Sequence, residues 1–190
     1  MIVQHAVLRT PIGRLTLYAG GDALTAVFFE NGEAAERLRF TRRTGAVRIE
    51  SHADPAGAVS ALRDYFEGDL RALDRVRVDP AGSEFQRAVW SALREIPAGA
   101  TMSYSGLAAR LGRPSAVRAV GAANGSNPIP IVIPCHRVVA ANGTLWGYGG
   151  GLAIKKWLLT HEKALPRGTE KVPASPRMDG ERPPRLPFDA

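Results

Sequence analysis

The residues of this chain best able to do chemistry sit in one stretch: Ile131-Val132-Ile133-Pro134-Cys135-His136-Arg137-Val138-Val139. Cys135 is the single cysteine of 190 residues. That count excludes an internal disulfide and a multi-cysteine zinc site. The thiolate is the nucleophile, and cationic neighbours favour it over the thiol. His136 and Arg137 follow directly, so the sequence predicts a thiol biased toward thiolate. A lone cysteine in an apolar run is more often an inert core residue, and Cys-His alone does not overturn that.

Glu162 supplies a third group. Ile154, Leu158 and Glu162 are four apart on the last predicted helix and share a face. A carboxylate in line with an apolar stripe is either frayed into solvent at the helix end or buried against a partner. His136 and His161 are the candidate partners. Nucleophile, base and orienter would then form a Cys–His–Glu relay. Neighbouring side chains diverge in an extended chain, so Cys135 and His136 are expected to communicate through a bridging water.

Scaffold elements can be read around these groups. Residues 1–30 read as strands, Arg14–Ala19 and Leu24–Phe29 among them, set off by turns at Thr10-Pro11-Ile12-Gly13 and Gly20-Gly21-Asp22. Residues 31–53 read as a short charged helix or loop, then a strand at Val47–Glu50. Pro55 to Phe66 reads as a helix closed by Gly68, and 75–80 as a strand leading into a Pro80-Ala81-Gly82 linker. The second half reads as helical. Ser83 and Gln86 form a capping box ahead of Phe85, Val89, Trp90 and Leu93. A short helix around Leu107–Leu111 stops at Gly112. Another starts at Pro114-Ser115 and ends near Gly125. A Gly-rich loop, Gly147-Tyr148-Gly149-Gly150-Gly151, precedes the last helix, about Leu152 to Lys163. Residues 164–190 hold six prolines and read as a disordered tail.

The fold expected is α/β (α+β) in two parts: an N-terminal domain at 1–79 with a small sheet, and a mostly helical C-terminal domain at 80–163. No stretch approaches the apolar length of a membrane span. MIVQHAVLRT lacks a basic then apolar leader, and one unpaired Cys suits a reducing compartment, so a cytoplasmic location is expected. The Gly-rich loop matches no Walker or dinucleotide fingerprint, so no nucleotide cofactor is expected.

Charge points to a partner. The chain has 25 basic and 18 acidic side chains, net +7. Residues 1–79 hold 11 of each, whereas 80–163 hold 9 basic and 3 acidic. A basic domain beside a neutral one fits nucleic acid, or simply a soluble basic surface. Two helices around a Gly turn between Tyr104 and Gly125 have helix-turn-helix spacing. The outer face of the second, Arg118, Gly121, Ala122 and Gly125, is too small to read major-groove base edges. It suits close approach to a minor groove with Arg118 inserted, or tight packing inside the protein. Asn127-Pro128 joins this helix to the cysteine run. Asn127 can tie the turn through side-chain to backbone hydrogen bonds, as an ordinary Asn-Pro turn does.

From about Phe85 to Lys163 the sequence resembles the catalytic domain of the O6-alkylguanine-DNA alkyltransferases, also called methylated-DNA–protein-cysteine methyltransferases. Asn127-Pro128, Ile133-Pro134-Cys135-His136-Arg137-Val138 and the Gly-Tyr-Gly-Gly-Gly loop carry the resemblance. Thr10-Pro11-Ile12-Gly13 with its following strand resembles the family's N-terminal domain, whose fold is similar to ribonuclease H. The resemblance implies DNA repair by a single-turnover transfer of alkyl, typically methyl, from O6-alkylguanine, and from O4-alkylthymine, to Cys135. The partner implied is double-stranded DNA, bound by a monomer, with cooperativity on DNA left open. His136 would deprotonate Cys135 through water and Glu162 would orient the imidazole. Arg118 would enter the stack and fill the gap left by the flipped nucleotide. Ser115, Ala119, Gly121 and Ala122 would face DNA with it. Tyr104 would rotate the target phosphate and donate to guanine N3, and Asn127 would brace the hinge. Cys135, Val138, Tyr148 and Gly149 would hold the flipped base.

Trp146 departs from the family pattern, which has a small or polar residue there, and either narrows the pocket or packs outside it. Some relatives carry zinc in the N-terminal domain, but His5 and His52 are isolated and no metal is expected. No dissociable cofactor is expected. Three other readings compete. A non-catalytic binder of alkylated DNA would lack the acceptor Cys. A helix-turn-helix regulator would need base-reading side chains on 115–125. A cysteine hydrolase would turn over.

Overall fold

The computed structural model describes residues 2–30 and 48–166. Strands β1 (Ile2–Thr10), β2 (Gly13–Gly20) and β3 (Ala23–Phe29) form an antiparallel meander. Its first turn is set by Thr10, whose hydroxyl donates to Gly13 O and accepts from Ile12 N, and by Gly13 at φ 101. Strand β4 (Arg48–Ser51) pairs parallel with β1, giving the order β3-β2-β1-β4. The strand expected at 47–50 lies here, with Val47 outside the described residues, as is the helix or loop expected from 31 onward. Alternation sorts the two sheet faces. Ala6, Leu8, Leu15, Leu17, Val27 and Phe29 join the main core, while Val3, Tyr18, Ala26 and Phe28 pack with Ile49 on the other side.

The helix expected over 55–66 is two pieces. A 3-10 turn at Pro55–Gly57, with Ala56 and Gly57 at positive φ, precedes α1 (Ala58–Glu67). Gly68, at φ 115, closes α1. The strand expected at 75–80 is a correction. A 3-10 turn occupies Ala72–Arg75, and only Val78 bridges to Leu24, before Pro80 removes the next backbone donor.

Helix α2 (Glu84–Arg94) begins with the expected Ser83–Gln86 capping box and buries Val89, Trp90, Ala92 and Leu93. Trp90 Nε1 donates to Ala123 O at 2.8 Å, fixing α2 against the helix-turn-helix. That motif comprises α3 (Tyr104–Arg110) and α4 (Val117–Gly125) around Gly112. Helix α4 starts later than expected. Pro114 and Ser115 lie in a turn closed by Ala116 N–H to Arg113 O, and Ala116 is the N-cap. Strand β5 (Met102–Ser103) pairs parallel with β6 (Val138–Val139), and α5 spans Leu152–His161. Ala164 and Leu165, read as tail, pack with Val139, Leu145 and Leu159; residues 167–190 lie outside the described residues.

One core runs through both halves. Leu24, Val27 and Tyr65 share it with Trp90, Leu93, Ile129 and Leu158. The edge strand reaches the cysteine segment directly, because Val27 N–H donates to Pro128 O at 2.9 Å. The sheet therefore helps to place the loop that carries Cys135.

Candidate active site

The segment from Asn127 to Arg137 is held by hydrogen bonds within itself, besides the one from β3 to Pro128. Asn127 Nδ2 donates to Ile133 O at 2.8 Å and its Oδ1 accepts Ile129 N–H at 3.0 Å, the bracing the sequence suggested. Ile133 N–H closes on Ile129 O and Cys135 N–H on Ile133 O. Between them Ile131 is buried at φ 75, a conformation a β-branched residue avoids. Such strain persists only where the surroundings over-determine it, and it is common at active sites. Cys135–Arg137 is then a 3-10 turn, not extended chain, with Arg137 N–H on Pro134 O.

The His136 ring turns its Nε2 toward Glu162. His136 Nε2 lies 3.0 Å from Glu162 Oε1, and both side chains are fully buried. Glu162 is the C-cap of α5 and is not frayed, which settles the open question of its burial. His161, the other candidate partner, binds Tyr65 O instead, at 2.7 Å. Burial alone would push the Glu162 carboxyl up. Hydrogen bonds from His136 and Arg137, and the charge of Arg137, bring it down to about 2. A carboxylate only accepts, so Nε2 carries the proton and Nδ1 keeps the lone pair. Burial pulls the His136 pKa down against the pull of Glu162, which leaves a neutral imidazole. Its Nδ1 is buried with no partner among the described residues.

Arg137 corrects the sequence expectation about the thiol. Its Nε and Nη2 clasp Glu162 at 2.9 and 2.8 Å, and Nη1 reaches Ile96 O, so its charge is spent on the carboxylate. Burial pushes the Cys135 thiol up, against the Asn127 side-chain hydrogen bond and the charge of Lys155. The resting sulfur is a thiol that needs a base. Lys155, buried on α5, donates to Val138 O at 2.7 Å and Trp146 O at 2.8 Å, tying β6 to the Gly-rich loop. Burial lowers its pKa to about 8.

A cavity of about 900 Å³ opens over Cys135. Tyr104, Arg118, Gly121, Ala122 and Asn127 line it from the helix-turn-helix side, and Trp146, Tyr148 and Gly149 from the Gly-rich loop. His136 and Glu162 lie behind the cysteine. Ser115 and Ala119 are exposed but do not line the cavity. Val138 is buried away from it, with its carbonyl engaged by Lys155. Burial and the nearby Cys135 raise Tyr104 to about 12, so it stays a donor at neutral pH. Tyr148 OH is buried without a partner among the described residues, and its ring meets Phe29 edge-on at 5.6 Å.

Four contributors were missing from the sequence reading: Phe29, Tyr65, Arg137 as the anchor of Glu162, and Lys155. Lys155 had a signal, since it stands three and four residues before the buried Leu158 and Leu159 on one helix face. Phe29 and Tyr65 come from the other half of the chain and had none. Among the described residues no group of three His, Cys, Asp or Glu could hold a metal ion.

Residues 84–164 match the DNA-binding domain of 6-O-methylguanine DNA methyltransferase, and residues 3–80 match its ribonuclease-like domain. A methylated-DNA–protein-cysteine methyltransferase of Shigella flexneri is 54% identical over 164 residues, covering 83% of this chain and 94% of the relative. The Salmonella typhimurium protein of that name is 55% identical over 124 residues, 65% of this chain and 72% of its own. The crystal structure of Mycobacterium tuberculosis O6-methylguanine methyltransferase superposes with a TM-score of 0.71 at 39% identity, over 88% of this chain and 96% of that one. The Mycobacterium tuberculosis protein OGT in complex with DNA gives 0.69 at 38% identity, over 86% and 93%. Both family matches together span most of the chain, and the relatives agree: the chain belongs to the 6-O-methylguanine DNA methyltransferases.

Proposed function

We propose that this chain repairs DNA by moving the alkyl group of O6-alkylguanine, and of O4-alkylthymine, irreversibly onto Cys135. The observation that carries this is the Cys135 thiol at the base of a cavity with a neutral, Glu162-held imidazole behind it and Arg118 on α4 at its edge. The thiol proton passes through a water to His136 Nδ1, and Glu162 stabilises the imidazolium. The thiolate attacks the saturated carbon, an S–C bond forms, and the C–O6 bond breaks. The Tyr104 hydroxyl donates to guanine N3 as charge builds on the leaving base. A base inside a duplex cannot reach the cavity, so it is flipped out, with Arg118 filling the gap from the minor groove. Tyr148, Gly149 and the backbone near Cys135 hold it, and Asn127 braces the loop.

The thioether product has no group here to cleave it, so each molecule acts once and no dissociable cofactor takes part. Residues 80–163 act on DNA while 1–79 support the site. The protein works as a monomer in the cytoplasm; no described helix is long and apolar enough to cross a membrane. Intact-protein mass after mixing with a duplex carrying O6-methylguanine tests the reading. One added methyl group per chain supports it. Continued turnover would favour a hydrolase, and tight lesion binding with no mass change a non-catalytic binder.

Two residues on the cavity make separate predictions. A Cβ added at Gly121 would come no closer than 3.9 Å to Tyr104, so packing inside the protein does not demand glycine there. Gly121→Ala is expected to keep or raise thermal stability, by up to about 1 kcal/mol from helix propensity, while weakening duplex binding several-fold in a titration. Equal weakening of both, or of neither, would remove DNA contact as the reason for this glycine. Trp146 is 37% exposed on the cavity wall, and only its backbone carbonyl holds Lys155. Trp146→Ala is expected to raise the transfer rate from O6-benzylguanine relative to O6-methylguanine. An unchanged ratio would mean that the indole does not limit alkyl size.

A further inference from the structure

The reaction above leaves one buried group on the carboxylate without a task. Tyr65 lies on α1, in the sheet-bearing half, and its hydroxyl donates to Glu162 Oε1 at 2.8 Å. The same oxygen accepts from His136 Nε2 at 3.0 Å and Arg137 Nη2 at 2.8 Å. Tyr65 is fully buried, with its ring edge-on to Phe66 at 5.2 Å and His161 at 5.0 Å. Its backbone carbonyl accepts His161 Nε2 at 2.7 Å. Helix α1 thus grips the end of α5 at two consecutive residues, one through backbone and one through side chain. Burial and the adjacent Glu162 charge hold the phenol far above its ordinary pKa, so it is a permanent donor.

We propose that Tyr65 is a positioning residue for alkyl transfer: its hydroxyl fixes the Glu162 carboxylate against His136 and limits how strongly that carboxylate favours the imidazolium. The proposal rests on the reading of Cys135 as the alkyl acceptor. A carboxylate oxygen that shares its charge with a phenol has less to give to the imidazole. Without the hydroxyl, Glu162 binds the His136 proton more tightly and is also freer to turn. The other groups facing His136 stay in place in Tyr65→Phe. They are Arg137 and Lys155, which oppose its protonation, together with Cys135 and the Tyr148 ring at 6.3 Å.

The test compares the full chain with Tyr65→Phe in two reactions across pH. One is single-turnover methyl transfer from an O6-methylguanine duplex; the other is alkylation of Cys135 by iodoacetamide, which needs no DNA. The acid limb of both profiles is expected to move up by roughly half a unit to one unit, with plateau rates several-fold lower. Phe66→Leu loosens the same packing without touching Glu162, and is expected to lower stability while leaving both profiles where they are. Unmoved profiles in folded Tyr65→Phe, or an equal displacement in Phe66→Leu, overturn the proposal. A wild-type chain that reacts with iodoacetamide yet takes nothing from the duplex overturns the acceptor reading instead. The iodoacetamide profile then decides the role of Tyr65 by itself.

Discussion

Cys135→Ser, mixed with a duplex carrying O6-methylguanine, keeps its starting mass, while the wild-type chain gains one methyl group and stops. The residue is buried, so the swap exchanges one small side chain for another and the fold survives. The chemistry does not survive. Attack at a saturated carbon favours a soft anion, and a hydroxyl is far harder to ionise than a thiol. Burial already pushes the Cys135 thiol up, and the same burial works against an alkoxide more severely. His136, neutral and with a lowered pKa, is too weak a base to make one. The transfer rate is expected to fall by on the order of 10⁴-fold or more. Lesion binding by Tyr104, Arg118 and Tyr148 is expected to persist, which makes the variant a probe of recognition without reaction. A methyl group found on Cys135→Ser at any residue other than 135 would mean that the acceptor lies elsewhere.

Part of this site was legible in the sequence, and the dividing line is physical. Ser83–Gln86, Gly68 and the Thr10–Gly13 turn depend on local hydrogen bonds and local φ, and local pattern found them. Asn127 was found for the same reason. Elements that depend on a neighbour went astray. Val78 has strand-like composition but only a one-residue bridge to Leu24. Pro114 and Ser115 have the composition of a helix start, and nothing local shows that Ala116 N–H closes a turn on Arg113 O. The charge on Arg137 was assigned to the wrong partner. Adjacency in sequence suggested the thiol, but the 3-10 turn sends the guanidinium to Glu162, 25 residues away. Tyr65 and Phe29 reach the site only because the two halves share a core, which no window of sequence reveals.

Glu162→Gln is expected to cost both stability and rate, and pH separates the two roles. The carboxylate holds Arg137 through two hydrogen bonds, His136 through one and Tyr65 through one. An amide of the same shape turns an N–H toward one of those donors and leaves the buried guanidinium without a counter-charge. Removing one partner of a buried ion pair typically costs about 3–5 kcal/mol. With the imidazole no longer held against a negative charge, alkyl transfer is expected to fall by roughly 10²–10⁴-fold. The pH dependence has a definite sign. The Glu162 carboxyl sits at about 2 in the folded chain, below its ordinary value. The stability it confers, about 3 kcal/mol, is fully present above the ordinary carboxyl range near pH 4.5 and is lost as pH falls toward 2. Urea midpoints of wild type and Glu162→Gln should therefore differ most at neutral pH and converge between about pH 4.5 and 2. Other carboxylates titrate in both chains and cancel in the comparison. A gap as wide at pH 3 as at pH 7 would show that Gln fails by shape alone. The charge of Glu162, and with it the charge-based account of how His136 is held, would then have to be given up.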